Sequence, residues 1–114
     1  TEQELALHPR NGASWEGYVI EEILKAVEPE QAYFWATHAG AELDLLMIKD
    51  GRHIGVECKR MDAPRLTPSM SIALKDLKLT RLIVVYPGPH GYSLAENIQA
   101  IPLTSVLKSP GDYI

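Results

Sequence analysis

Residues 40–60, GAELDLLMIKDGRHIGVECKR, constrain the fold of this chain more than any other segment. Residues 41–48 and 52–59, on either side of Asp50-Gly51, read as two strands. Asp-Gly is among the strongest short hairpin signals, because a type I′ turn needs positive φ at both central residues. The sequence therefore predicts a β-hairpin with strands over 41–48 and 52–59.

A two-residue loop would fix the register of this hairpin. Asp44 would then face Glu57, Glu42 would face Lys59, and all four side chains would project from the same face. Directly opposed Cβ atoms lie about 4.5–5.5 Å apart, within reach of a single cation. A three-residue loop with a bulge would instead shift the opposition by one residue. The other face is expected to be core and carries Leu43, Leu45, Met47, Ile54, Val56 and Cys58.

Two adjacent carboxylates repel each other unless a cation or a shared proton lies between them. Oxygen ligands suit Mg²⁺ or Mn²⁺, so Asp44 and Glu57 are predicted to hold such a metal. Lys59 could then orient or deprotonate a water molecule, or stabilise the charge that develops on phosphorus. This set of residues suits phosphodiester hydrolysis. The alternative is that these residues form only surface salt bridges, such as one between Glu42 and Lys59.

The remaining segments predict an α/β fold with the order α-β-β-β-α-β. A helical pattern ends before Pro29, and Thr67-Pro68 has the signature of an N-cap followed by proline at the first helical position. The predicted elements are a helix over 12–27, strands over 31–37, 41–48 and 52–59, a helix over about 68–79, a buried strand over 81–86, an edge strand over 98–103 and a short final helix.

Glu16 is the acid of the first helix that we expect to join the hairpin. At 100° per residue it falls in the middle of an apolar arc, beside Ile23. A carboxylate that points into a core-facing stripe needs a cation or a donor, since burying it without a partner is costly. The alternative is that Glu16 lies beyond the edge of the sheet and reaches solvent.

Composition limits the classes of function. A chain of 114 residues suits one domain, and no apolar run approaches the roughly 20 residues that cross a bilayer. We therefore expect a soluble protein without a membrane partner, and its single cysteine favours a reducing, cytoplasmic location. The net charge of −4 argues against a generally basic nucleic-acid binder, but residues 52–81 are locally basic. The candidates for phosphate contacts around the site are Arg60, Arg65, Lys75 and Lys78.

The predicted order of elements, with Asp44, then Glu57-x-Lys59, and a helix glutamate before them, resembles the PD-(D/E)XK nuclease superfamily. The resemblance implies a restriction-endonuclease-like αβββαβ core, Asp44 and Glu57 as metal ligands and Lys59 as the catalytic lysine. It also implies that the backbone carbonyl of Cys58 completes the coordination, and that Glu16 is the helix acid of resolvase-like members. The literal proline of the superfamily name is absent before the aspartate.

A closer resemblance rests on the motifs GASWEGYVIEEIL, YFWATHAGAELDLL and GVECKR. Together they are similar to the uncharacterised domain that closes many prokaryotic AAA-type P-loop ATPases. This resemblance implies that residues 1–114 are a single C-terminal fragment, which agrees with the missing initiator methionine and the absence of a GxxxxGK[ST] motif. We therefore expect a DNA nuclease domain attached to an ATPase. The alternative is an inactive nucleic-acid or partner-binding module that regulates that ATPase.

Overall fold

The computed structural model describes residues 3–7 by their backbone and residues 14–114 in full. In chain order, the described elements are β1 (Gln3–Leu7), α1 (Trp15–Val27), β2 (Gln31–Thr37), β3 (Glu42–Lys49), β4 (Arg52–Cys58), α2 (Pro68–Asp76), β5 (Arg81–Tyr86), β6 (Tyr92–Ala95), β7 (Ile98–Pro102), α3 (Leu103–Lys108) and a 3₁₀ turn at Pro110–Asp112. The strands form one mixed sheet in the order β1-β2-β3-β4-β5-β7-β6. Neighbours from β1 to β4 are antiparallel, whereas β5 is parallel to both β4 and β7.

Helices cover both faces of this sheet and give it two apolar cores. Residues of α1 and α3, including Ile23 and Val106, pack on one face, which we call the α1 face. Met70 and Ala73 of α2 pack on the other, the α2 face. Successive residues of β5 alternate between the two cores, as expected of a strand that is buried on both sides. The predicted α/β fold, a mixed sheet flanked by helices with the αβββαβ order from α1 to β5, is confirmed.

Local signals explain where the helices begin and end. Ser14 caps α1 by accepting a hydrogen bond from the Gly17 backbone N–H at 3.0 Å, and the helix ends where Glu28 adopts φ 50° before Pro29. Residues 12 and 13, which the prediction included in this helix, lie outside the described residues. Helix α2 starts at Pro68 as predicted, but it ends at Asp76 rather than near residue 79.

The prediction was wrong about the two margins of the sheet. Residues 3–7 form strand β1, whereas the first element predicted from the sequence was the helix over 12–27. Strand β7 was predicted at an edge because of Pro102, yet it lies between β5 and β6. Pro102, which has no backbone N–H, is the last residue of β7. The missing hydrogen-bond donor therefore falls at the end of the ladder and not inside it. The short strand β6, which carries the edge, was not predicted.

Candidate metal-dependent active site

The turn of the predicted hairpin is confirmed. Asp50 and Gly51 have φ values of 51° and 77°, as the two-residue turn requires. Lys49 pairs with Arg52, and the ladder between β3 and β4 continues in this register to Leu45, which pairs with Val56. At this end of the hairpin the register therefore follows from the turn.

A bulge changes the hairpin at its other end. Between Tyr33 and Trp35, two steps along β2 correspond to three steps along β3, from Leu46 to Leu43. The extra residue reverses the alternation of side chains, so Leu43 packs in the core of the α2 face while Leu45 packs in that of the α1 face. The prediction that Leu43 shares one face with the other apolar residues of the hairpin was therefore wrong, because the neighbouring strand β2 imposes the bulge.

Asp44 and Glu57 meet where the β3–β4 ladder stops, and each carboxylate binds the backbone of the opposite strand. Oδ2 of Asp44 accepts a hydrogen bond from the Cys58 N–H at 2.8 Å. Oε1 of Glu57 accepts one from the Asp44 N–H at 3.1 Å. Each carboxylate thus accepts a hydrogen bond that a backbone carbonyl would accept in a regular ladder. The two side chains are brought together as the sequence predicted, although not as a regular cross-strand pair.

Glu57 is a buried acid in the part of the chain that the structure describes, with only 7% of its surface exposed. Burial, the charge of Asp44 and a side-chain hydrogen bond with Asp44 raise the pKa of Glu57 from 4.5 to about 8. The ammonium group of Lys59 lies 3.8 Å from Oε2 of Glu57 and offsets this rise only in part. At neutral pH the pair therefore favours holding a proton, and a cation could replace that proton.

The ion pair of Lys59 differs from the predicted one. Its ammonium group contacts Glu57 on the same strand, not Glu42 on the opposite strand. Glu42 is exposed and pairs through its backbone with Ala36 of β2. Residues two apart along an extended chain share a face. Glu57 and Lys59 therefore stay together beyond the last paired residues of β3 and β4.

The donor atoms at this site fit a hard divalent cation. The two backbone hydrogen bonds use Oδ2 of Asp44 and Oε1 of Glu57, which leaves one oxygen of each acid for the proton between the two acids or for a metal in its place. Within the described residues, no group of three or more His, Cys, Asp or Glu side chains could hold a metal. Mg²⁺ and Mn²⁺ need no such cage, since one or two carboxylates with water and substrate oxygens commonly bind them.

Cys58 can offer such a metal only its backbone carbonyl. Its side chain is buried in the core of the α1 face, as predicted. Burial, followed by the charges of Asp44, Glu57 and Glu16, raises the pKa of the Cys58 thiol far above its usual range. The thiol therefore stays neutral, and a neutral thiol is a poor ligand for a hard cation.

Glu16 lies in the first turn of α1 and is exposed to solvent. The prediction that its carboxylate points into the core was wrong, and the alternative that it reaches solvent holds. Helix α1 packs on the face of the sheet in whose core Cys58 is buried, and the charge of Glu16 contributes to the raised pKa of the Cys58 thiol. The position of Glu16 in the helix gives the direction of its side chain around the helix axis. Which part of α1 the sheet covers depends on the fold, and Glu16 lies outside the covered part.

The four basic candidates divide between the two ends of the sheet. Arg60 and Arg65 are exposed in the loop that follows β4, on the side of Asp44 and Glu57. Lys75 and Lys78 lie at the end of α2, beside Leu77, whose carbonyl is 2.9 Å from the Nδ1 atom of His53. His53 precedes Glu57 by four residues, or roughly 13 Å along the strand. The fold therefore does not bring Lys75 and Lys78 to the carboxylates.

Sequence reasoning missed the residue that holds the loop beside the site. The hydroxyl of Tyr92 donates a hydrogen bond to the Pro64 carbonyl at 2.7 Å. No local motif marks this contact, because it joins residues that are 28 positions apart. Two neighbouring aromatics of β2 also differ: Trp35 is fully buried in the core, whereas 37% of Phe34 is exposed.

A family profile matches most of this chain. It is described as "Domain of unknown function (DUF4143)" and covers residues 11–106. Two relatives, "Uncharacterized protein Mb2031c" of Mycobacterium bovis and "Uncharacterized protein Rv2008c" of Mycobacterium tuberculosis, are each 43% identical over 103 residues. The matched segment is 90% of this chain and 23% of each relative, so the chain spans about a quarter of the length of the curated relatives it matches. No solved structure matches the chain.

Proposed function

The chain belongs to the DUF4143 family, and we propose that it is a divalent-metal-dependent nuclease domain that hydrolyses phosphodiester bonds of DNA. One observation carries this proposal: the carboxylates of Asp44 and Glu57 meet at an opened strand pair, with the Lys59 ammonium group 3.8 Å from Glu57. Two acids and a cationic donor at the end of a sheet suit phosphoryl chemistry, which needs positioning and charge neutralisation.

Each residue has a defined role in the proposed reaction. Asp44, Glu57 and the Cys58 carbonyl would hold Mg²⁺ or Mn²⁺, which when bound lowers the pKa of water and neutralises charge on the phosphate. Lys59 orients the attacking water or stabilises the charge that develops on the phosphate oxygens. Glu16, which is exposed above the same face as Cys58, acts as a supporting acid.

The wider setting is part of the same proposal. The αβββαβ order and the positions of Asp44, Glu57 and Lys59 support membership of the PD-(D/E)XK nuclease superfamily. The relatives are about four times as long as the matched segment, which leaves room for the AAA-type ATPase domain that we propose in the same polypeptide. No helix in the described residues is long and apolar enough to cross a membrane. We assign the nuclease to the cytoplasm, where a single cysteine stays reduced.

The nuclease proposal is tested by replacing the lysine. The full chain is incubated with duplex, single-stranded and branched DNA in Mg²⁺ or Mn²⁺, and cleavage is followed on denaturing gels. Lys59→Ala is expected to lower the cleavage rate by about 100-fold or more, because it removes a general acid–base or charge-stabilising group. Lys75→Ala, at the far end of α2, is the matched control and should cleave as the wild type does. If none of these substrates is cut by the wild type, the proposal fails.

The hydrogen bonds of the two acids favour a second candidate function. Asp44 and Glu57 join the ends of the two strands through these hydrogen bonds, so they also fit a structural role in a binding module that regulates the ATPase. Calorimetric titration with Mn²⁺ separates the two functions. A micromolar binding response that is lost in Asp44→Asn supports the nuclease, whereas a wild type that binds no Mn²⁺ supports the binding module.

A further inference from the structure

The loop between β4 and α2, residues 59–67, is held at its start, middle and end. The Lys59 N–H donates to the Val85 carbonyl at 2.9 Å where the chain leaves β4. Buried Pro64 is fixed at mid-loop, since its carbonyl accepts from the Tyr92 hydroxyl at 2.7 Å. The Thr67 hydroxyl accepts from the backbone N–H of Met70 at 3.4 Å and caps α2. A loop held in this way presents its outward side chains from a preformed surface.

Large apolar side chains point out of this loop into solvent. Met61 is 49% exposed and Leu66 is 44% exposed. Each is next to an exposed arginine, because Arg60 precedes Met61 and Arg65 precedes Leu66. The loop therefore repeats a basic residue followed by an exposed apolar one, once on each side of the buried Pro64.

The charge of the loop differs from that of the whole chain. Lys59, Arg60 and Arg65 oppose only Asp62 within residues 59–67, whereas the chain has a net charge of −4. This local excess of positive charge begins at the Asp44–Glu57 pair, because the Lys59 ammonium group lies 3.8 Å from Oε2 of Glu57. Arginine suits phosphate oxygens through its planar set of donors, so this part of the surface favours a nucleic acid over an apolar partner.

We propose that the β4–α2 loop reads duplex DNA by distortion, with Arg60 and Arg65 on the phosphates and Met61 and Leu66 wedged against the bases. Apolar side chains of this kind open base steps in proteins that kink DNA. The substrate would then be a duplex that is weakened at one step, such as a mismatch, because opening that step costs less there. This inference rests on the proposed function for its choice of DNA, and it names the form of DNA that the site would take.

Binding is measured in EDTA, so that no cleavage is needed. The full chain is titrated into fluorescent duplexes, either perfectly paired or with one mismatch, that carry 2-aminopurine at the central step. We expect the wild type to bind the mismatched duplex about 10-fold more tightly and to raise the 2-aminopurine fluorescence as the base unstacks.

Two double variants divide the roles within the loop. Met61→Ser with Leu66→Ser should lose the fluorescence rise and the mismatch preference, while the salt dependence stays unchanged. Arg60→Gln with Arg65→Gln should weaken binding to both duplexes about 10-fold or more and lower the slope of log affinity against log salt by about 1.8. The matched controls are Ile72→Ser, an apolar side chain of α2 that is 40% exposed, and Lys75→Gln with Lys78→Gln at the far end. All these side chains are exposed, and thermal melting verifies the fold.

The results distinguish this inference from the nuclease proposal. Loop variants that bind DNA as the wild type does overturn the inference, even if the wild type cleaves DNA. Absence of DNA binding, or equal binding of an RNA duplex, also overturns it. If the loop variants behave as expected but no metal supports cleavage, the inference stands and the nuclease proposal fails.

Discussion

The two ends of the β3–β4 hairpin are built from the same strands but are held by different forces. At the turn, Asp50 and Gly51 adopt positive φ, and a regular backbone ladder joins Lys49 to Arg52 and the residues that follow. At the other end, backbone pairing gives way to hydrogen bonds from backbone N–H groups to the carboxylates of Asp44 and Glu57. One end depends on backbone conformation, and the other depends on charged groups.

We call the end of the hairpin at Asp44 and Glu57 the opened end. The difference links the stability of this end to protons and cations. A backbone ladder is insensitive to pH between 4 and 9, because its donors and acceptors do not titrate in that range. A buried carboxylate beside a second one does titrate, and either a proton or a metal relieves the repulsion. The opened end is thus suited to bind a cation, whereas the turn end serves as a scaffold.

The largest expected effect is a loss of stability as the pH rises in EDTA. The pKa of Glu57 is raised from 4.5 to about 8, so between these values the folded protein binds a proton that the unfolded chain has released. The free energy of unfolding should therefore fall by about 1.4 kcal/mol for each pH unit in this window. Below pH 4.5 the stabilisation is fully present, and above pH 8 it is lost. Urea unfolding, followed by tryptophan fluorescence, measures this slope.

Glu57→Gln is the control for this slope. The amide cannot ionise, so the difference in unfolding free energy between the wild type and the variant should carry the Glu57 contribution alone. Mn²⁺ at pH 8 should restore stability to the wild type but not to the variant, because a cation replaces the proton only where a carboxylate remains. A difference that does not change between pH 5 and 8 would contradict the electrostatic account of the opened end.

The next effect concerns the structural role of Asp44. Asp44→Ala removes the acceptor of the Cys58 N–H and should destabilise the fold by about 1–3 kcal/mol, since that buried donor loses its partner. Asp44→Asn keeps an acceptor oxygen and removes the repulsion with Glu57, so it should cost less than about 1 kcal/mol. Urea unfolding at pH 8 in EDTA gives both values. Equal destabilisation by the two variants would show that the hydrogen bond does not hold the opened end.

The meeting of Asp44 and Glu57 could be predicted from sequence because it depends mainly on the turn. The Asp50-Gly51 dipeptide fixes the register locally, and the strands carry it to the site. The same local information says nothing about strand β2, whose bulge against β3 moves Leu43 to the other core. The pair was therefore predicted correctly while its geometry, with each acid bound to the opposite backbone, was not.

Features that depend on packing between distant segments escaped prediction. Glu16 was placed correctly around the helix axis, but its exposure depends on where the sheet ends beneath α1. Lys75 and Lys78 belong to a locally basic stretch, yet α2 carries them to the end of the sheet away from the site. The contact of Tyr92 with Pro64 joins an edge strand to the loop, and that strand has no sequence signal of its own.

The smallest effect tests the turn end by itself. Gly51 has φ 77°, and within the described residues a Cβ added there would meet no atom within 4 Å beyond its own residue and chain neighbours, so Gly51→Ala acts through backbone strain. It should lower the unfolding free energy by about 1 kcal/mol. Gly55→Ala is the contrasting variant, because its Cβ would lie 2.6 Å from Cδ1 of Leu79 in the core of the α2 face. Calorimetry with Mn²⁺ should show wild-type affinity for Gly51→Ala, since the turn supplies register but no ligand. A lost Mn²⁺ response in Gly51→Ala would mean that the two ends are coupled, and that the carboxylates need the turn to keep them in place.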